Sequence, residues 1–275
     1  MNQNFIKIIV TGSNKGVGYG IVENLIQKQN YHIIMACRSL ERGNEARKQL
    51  LQLQPEAMVD VLQLDISNEQ SINNFIIQIG QKYGTIDILL NNSGIAFKGD
   101  QLDGEVVRQT FQTNFYGTVY LSEQMIPLIN QKGKILIIGS SLGKTIHLKN
   151  ENLKKQFKDQ NLTKDGLFQL AKQFQENVDN NTYIQNGWPK NAYGMSKLCI
   201  NTYANLLSNY DVIKQKQILV FSCCPGWVRT DMTGQQATRS IQEGSVCPCY
   251  IVELDHNVGQ QLQGKFFYDQ KVVEI

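Results

Sequence analysis

The order of elements predicts an α/β fold built on one doubly wound parallel sheet with helices on both faces. Two observations carry this. Short, almost wholly apolar runs alternate with stretches whose apolar residues recur at helical spacing; strands apolar on both faces belong to sheets covered on both sides. The first run, Phe5 to Val10, leads into a glycine-rich turn that opens a helix, Thr11-Gly12-Ser13-Asn14-Lys15-Gly16-Val17-Gly18.

The elements follow in order. Val17 to Gln27 reads as a helix with Val22, Leu25 and Ile26 on one face, and Tyr31 to Cys37 as a strand. Leu40 to Leu53 is helical through Ala46, Leu50 and Leu53, and Met58 to Leu64 is strand-like. Ser67 to Lys82 presents Ile72, Phe75, Ile76 and Ile79 on one helical face before the strand Ile86 to Leu90. Val106 to Asn130 reads as one long helix with Pro127 near its end, followed by the strand Lys134 to Ile138. Tyr193 to Tyr210 is helical, Gln217 to Ser222 a strand, and Lys265 to Tyr268 a last strand. Crossovers between parallel strands are expected to be right-handed. No repeat or linker divides the chain, so residues 1–275 are expected to form a single domain.

Lys149 to Asn186 breaks the rhythm. It is rich in Lys, Asn, Gln and Asp, yet Leu167, Leu170, Ala171, Phe174 and Val178 keep helical spacing. It reads as a helical insertion before the Tyr193 helix, either a solvated loop or a wall or lid beside a cleft.

The whole-chain numbers exclude several classes. The 275 residues carry a net charge of +3 with no basic run, too mild for a nucleic-acid footprint. No apolar stretch approaches the ~20 residues of a membrane span, and neither end shows a targeting signal. The expected location is cytoplasmic. Asn and Gln make up roughly a fifth of the chain, above the usual share, but are scattered rather than blocked. The six cysteines form no C-x-x-C pair and the histidines are His32, His147 and His256, so no metal site is expected. Free thiols in a reducing compartment are one reading of the cysteines. The sharper one puts Cys223 or Cys224 near an active site, reactive toward electrophiles.

Chemistry concentrates at the strand ends. Glycines at 12, 16 and 18 permit a tight turn and close backbone approach, and the helix N-terminus offers unpaired N–H donors to a pyrophosphate, as in Rossmann-type folds. The second strand ends in Cys37-Arg38, with Arg42 beyond, where an NAD protein usually carries an acid for the ribose 2′-hydroxyl. With Lys15, these cations suit a 2′-phosphate, so NADP is favoured. Asn91-Asn92-Ser93-Gly94 ends the fourth strand, Ser140 and Ser141 the fifth, and Pro225-Gly226-Trp227-Val228-Arg229-Thr230 the sixth. Tyr193 and Lys197 stand four apart in Asn191-Ala-Tyr193-Gly-Met-Ser-Lys197 and share a helix face. An ammonium near the phenol is expected to lower its pKa toward neutrality, making a general acid and base.

From Val10 to about Val272 the chain resembles the short-chain dehydrogenase/reductase family. The pattern matches at Thr11-Gly12-x-x-x-Gly16-x-Gly18, Asp65, Asn91-Asn92-x-Gly94, Asn114, Ser141, Tyr193-x-x-x-Lys197 and Pro225-Gly226. Asn14-Lys15-Gly16, Gly94 to Lys98, Gly187-Trp188-Pro189, Cys223 to Met232 and the insertion are similar to the family's monomeric NADPH-dependent carbonyl reductases. The resemblance implies reduction of ketones, aldehydes or quinones by hydride transfer. Ser141 would hold the carbonyl, Tyr193 donate the proton, Lys197 bind the nicotinamide ribose and tune Tyr193, and Asn114 hold a relay water. Gly12, Asn14, Lys15, Gly16, Val17 and Gly18 would bind the cofactor. Asp65 and Ile66 would meet the adenine side, and Asn92, Val228 and Thr230 the ribose or nicotinamide end. Ser141 and Trp227 are the substrate-pocket candidates. Ser93 stands where the family usually has alanine.

Two rivals remain. Gly139-Ser140-Ser141-Leu142-Gly143 fits the hydrolase pattern G-x-S-x-G, with Asp211 and His256 in a permitted order. A non-catalytic NADPH-binding sensor is the other.

Overall fold

The computed structural model describes residues 5–99 and 102–275. Strands β1 (Ile6–Thr11), β2 (Tyr31–Cys37), β3 (Met58–Gln63), β4 (Ile86–Asn91), β5 (Ile129–Ile138), β6 (Leu219–Cys224) and β7 (Phe266–Tyr268) run parallel. A short β8 (Lys271–Val273) turns back antiparallel. The order β3-β2-β1-β4-β5-β6-β7-β8 makes one sheet with its switch point between β1 and β4. In such sheets ligands sit beyond the carboxyl ends of the strands at that point.

Successive strand residues face opposite sides, so each central strand feeds two cores. Ile8, Val10, Ile33 and Met35 meet α1 (Gly16–Leu25), α2 (Leu40–Leu53) and α10 (Ile241–Glu253) on one side. Ile9, Ile34, Leu89 and Ile135 meet α3 (Glu69–Tyr83), α4 (Gly104–Phe111), α5 (Gly117–Met125) and α8 (Ala192–Leu207) on the other. Burying each such side chain contributes about 1.5–3 kcal/mol. Short helices α9 (Asp211–Gln215) and α11 (His256–Gln261) flank β6 in sequence. Among the described residues no helix is long and apolar enough to cross a membrane.

The long helix expected over 106–130 is broken. α4 ends at Phe111, a π-turn spans Gln112–Tyr116, and α5 ends at Met125. A 3₁₀ turn at Ile126–Leu128 follows, and Ile129 and Asn130 already belong to β5. Pro127 lacks the donor that would continue the helix. The break lets Gly117 lie against β3–α3: a Cβ there would fall 1.9 Å from the Ile66 carbonyl oxygen.

The insertion contains α6 (Glu151–Lys158) and α7 (Lys164–Asp179). All five residues of its stripe, Leu167, Leu170, Ala171, Phe174 and Val178, are buried. α7 packs on α4 and α8, with the Phe174 ring 5.8 Å from Phe111 and 5.6 Å from Trp188. β8, α9, α10 and α11 were not among the expected elements. The Ser240–Glu243 capping box that starts α10 is a readable signal for it; Pro248 inside the helix obscures it.

Candidate active site

The glycine turn after β1 is shaped by its lack of side chains. Gly12 and Gly16 take positive φ (62° and 58°). A Cβ on Gly18 would lie 2.4 Å from Asn92 Nδ2 and 2.5 Å from the Gly12 carbonyl oxygen. Asn92 clamps the turn from the end of β4, its Nδ2 donating to Thr11 O (2.9 Å) and Gly12 O (3.1 Å). Thr11 Oγ1 accepts from the backbone N–H of Asn92 and of Ser93, both at 2.9 Å. The Asn92 amide group thus faces the loop itself rather than open space. Lys15 caps α1 without a side-chain hydrogen bond, which leaves the first-turn N–H groups, including those of Val17 and Gly18, available to an anion. Asn14 is partly exposed beside them.

Around this cradle the cations stand as follows. Arg38 and Arg42 are exposed at the end of β2 and the start of α2, and no described residue forms an ion pair with either. Lys15 Nζ lies 2.7 Å from Asp231 Oδ2, joining the turn to the loop after β6. Cys37, where an acid would mark NAD use, turns its thiol to Ser13 Oγ at 3.7 Å. Asp65 Oδ1 accepts from Ser67 N (3.0 Å) and Ser67 Oγ (2.6 Å), and Ile66 beside it is buried. The loop after β6 closes the far side. Thr230 lies over the turn, its methyl 3.3 Å from where a Gly16 Cβ would be. Val228 is buried toward α10, since a Cβ on Gly244 would fall 2.5 Å from its Cγ2; its backbone is what remains to face a ligand. Trp227 is 51% exposed beside them.

α8 brings up the reacting groups. Asn191 caps it by accepting Gly194 N–H at 2.8 Å, which sets Tyr193 in the first turn and Lys197 one turn on. Lys197 Nζ sits 5.7 Å from the Tyr193 ring centroid and donates to Ile138 O at 2.6 Å. Asn114 is carried on the π-turn, a device frequent at functional sites. Its Oδ1 accepts Ile95 N–H (2.8 Å), and its Nδ2 donates to Ile95 O (2.9 Å) and Ser196 Oγ (3.0 Å). Ser196 Oγ in turn donates to Tyr193 O at 2.8 Å. The Asn114 side chain thus ties the loop after β4 to α8.

The serines and the phenol stand as follows. Ser140 lies near enough to the Tyr193 phenol to act on its pKa, in the lowering direction; Ser141 turns its Oγ to Cys224 Sγ at 3.7 Å. Ser140 Oγ accepts the Leu142 N–H at 3.1 Å, closing a tight turn that spacing alone does not reveal. Nor is the phenol brought toward neutrality. Burial and the neighbouring Cys224 push Tyr193 up to about 12, against a lowering hydrogen bond from Ser140. Burial pulls the Lys197 ammonium down to about 8. Desolvation outweighs the attraction expected between them. All six cysteines are free and buried, with Cys224 alone in hydrogen-bond contact with Ser141.

The hydrolase arrangement is not assembled. His256 has no hydrogen-bond partner on either ring nitrogen among the described residues, and Ser141 meets a thiol rather than an imidazole. Among the described residues no group of three or more His, Cys, Asp or Glu could hold a metal ion.

Comparison with known proteins places this geometry. A family model described as short chain dehydrogenase matches residues 7–150. The chain is 34% identical over 273 residues to carbonyl reductase (NADPH) 1 of Rattus norvegicus, covering 96% of each. It is 35% identical over 255 residues to carbonyl reductase (NADPH) 3 of Mus musculus, covering 90% of each. Among solved structures, salutaridine reductase from Papaver somniferum aligns with a TM-score of 0.85 at 24% identity, over 96% of this chain and 99% of that one, a likeness of fold alone. A glycine cradle after β1, a Tyr–Lys pair on α8 and a match over most of the chain lead to one conclusion: the protein belongs to the short chain dehydrogenase family.

Proposed function

We propose that this chain is an NADPH-dependent carbonyl reductase acting on ketones, aldehydes or quinones. The observation that carries the proposal is the Tyr193–Lys197 pair on α8, with Lys197 Nζ 5.7 Å from the Tyr193 ring and 3.6 Å from where a Gly94 Cβ would be, just beyond β4. The residues present fit the cofactor. The open α1 N-terminus and the space that Gly12, Gly16 and Gly18 leave would take the pyrophosphate. Arg38 and Arg42 would take the 2′-phosphate, with Lys15 close by. Asp65 and Ile66 would border the adenine, and Asn92, Val228 and Thr230 the other end. Bound there, NADPH would supply the hydride; position and proton come from the protein.

With its pKa pushed up, Tyr193 stays protonated across the physiological range and is suited to donate a proton to a carbonyl oxygen. Ser140 would orient that oxygen. Ser141 and Trp227 would border the substrate further out. Lys197, when charged, steadies the phenolate that the transfer leaves. The reductase is proposed as one domain, with the 149–186 insertion as its wall, and as a monomer acting in the cytoplasm. The six free thiols support the last point.

The test is a panel of carbonyl compounds with NADPH, followed by loss of nicotinamide absorbance. Tyr193→Phe should keep NADPH binding and lose turnover by roughly 10²–10⁴-fold. A Phe variant near wild-type kcat would remove Tyr193 from the mechanism, and no turnover on any carbonyl would favour the sensor.

A further inference from the structure

We propose that Asn201 is a positioning residue for the reaction, holding Ser140 in register with Tyr193. The inference rests on the reductase reading above. Asn201 lies on α8 one turn beyond Lys197 and two beyond Tyr193, hence on the same face. It is fully buried. Its Nδ2 donates to Ser140 O at 3.1 Å and to Gly143 O at 2.9 Å. Gly143 N–H also donates to Ser140 O, at 3.0 Å, so a single side chain grips both ends of the serine turn.

The surroundings are built to admit that amide. A Cβ on Gly139 would fall 1.9 Å from Asn201 Oδ1. A Cβ on Gly143 would fall 2.4 Å from the Lys197 carbonyl carbon, so the turn is pressed against the α8 backbone at the lysine itself. The helix carrying Tyr193 and Lys197 and the turn carrying Ser140 therefore meet through Asn201.

The asparagine carries a cost as well as the gain of its two bonds. Its Oδ1 is buried with no hydrogen-bond partner among the described residues, and an orphaned buried acceptor is destabilising. An apolar side chain of similar size would avoid that cost. What the amide adds is two directed bonds to the segment that carries Ser140, and small misplacements of a reacting group cost up to about 10²-fold in rate.

The experiment compares Asn201→Leu with Asn201→Ser, the latter covering the case in which Leu fails to fold. Each is made in the wild-type and in the Ser140→Ala background. kcat for carbonyl reduction should fall about ten-fold or more in the wild-type background, while the NADPH Kd stays within about two-fold. In the Ser140→Ala background the same change should cost less than about two-fold, because residues acting through one another are not additive. Equal losses in both backgrounds, or an unchanged kcat, would overturn the proposal. Amide hydrogen exchange over Gly139–Gly143 gives a readout independent of turnover. It should quicken in the Asn201 variants while the Gly12–Gly18 turn is unchanged, and unchanged exchange at Gly139–Gly143 overturns the positioning role. If wild-type protein reduces no carbonyl, the reductase reading fails, and the exchange result still decides whether Asn201 holds the turn.

Discussion

Tyr193 and Lys197 set the pH behaviour at the scale of single residues. Burial keeps the phenol protonated to about 12 and brings the ammonium down to about 8. As pH rises through about 8, Lys197 loses its proton first, while Tyr193 still holds its own. The proton to be donated remains, but the positive charge that steadies the nascent phenolate is gone. Carbonyl reduction should therefore fall as pH rises through about 8. A kcat profile that stays flat well past that point would show that the lysine charge plays no part. The pair itself was legible, because i and i+4 must share a helix face. The sign of the phenol shift was not, because it depends on how deeply the ring is packed. The choice between Ser140 and Ser141 was hidden for a related reason, since a turn rather than a regular element aims their hydroxyls. Asn201 escaped notice as one asparagine among many, and only the Ser140 and Gly143 carbonyls opposite distinguish it.

At the scale of elements, the start of α1 and the end of β2 divide the cofactor between them. The helix end offers N–H donors without regard to the 2′ position, whereas the β2 end reads it. Cys37 faces Ser13, and Arg38 has no ion-pair partner among the described residues. Arg38→Ala should therefore weaken NADPH far more than NADH. A charge-assisted hydrogen bond is worth about 1.5–3 kcal/mol. Because Arg38 is exposed, the lower end applies, about a ten-fold loss. Titrating both cofactors against the variant checks this, and an equal loss for both would take the 2′-phosphate away from Arg38. The boundaries of β2 and α2 were readable to the residue, since the apolar run Tyr31 to Cys37 and the helical spacing of Ala46, Leu50 and Leu53 mark them. The stretch from 106 to 130 was not: its apolar periodicity runs through the π-turn, and only the close approach of Gly117 to Ile66 requires the interruption.

For the whole molecule, the insertion bears on assembly. The family resemblance implies that members forming dimers or tetramers would pair through the helix after the fourth strand and the Tyr–Lys helix. In this chain α7 packs on α4 and α8, and its apolar stripe is buried there, with Leu167, Ala171 and Phe174 at 0% exposure. The insertion's exposed residues include Lys155, Lys158, Asp159 and Asp165, while Lys164 turns inward to Glu123 at 3.0 Å, and charged residues are depleted at interface cores. The surface used elsewhere for pairing is thus covered from within, and what faces outward suits water. The protein should be a monomer by light scattering at micromolar concentration, and a stable dimer mass would show that α7 does not block association. Removing α6 and α7 should bare the Phe111 and Trp188 side of the core, which the Phe174 ring now covers. A contiguous apolar patch of that kind drives association, so the shortened protein should self-associate or aggregate, and a shortened protein that stays folded and monomeric would separate the insertion from the oligomeric state altogether.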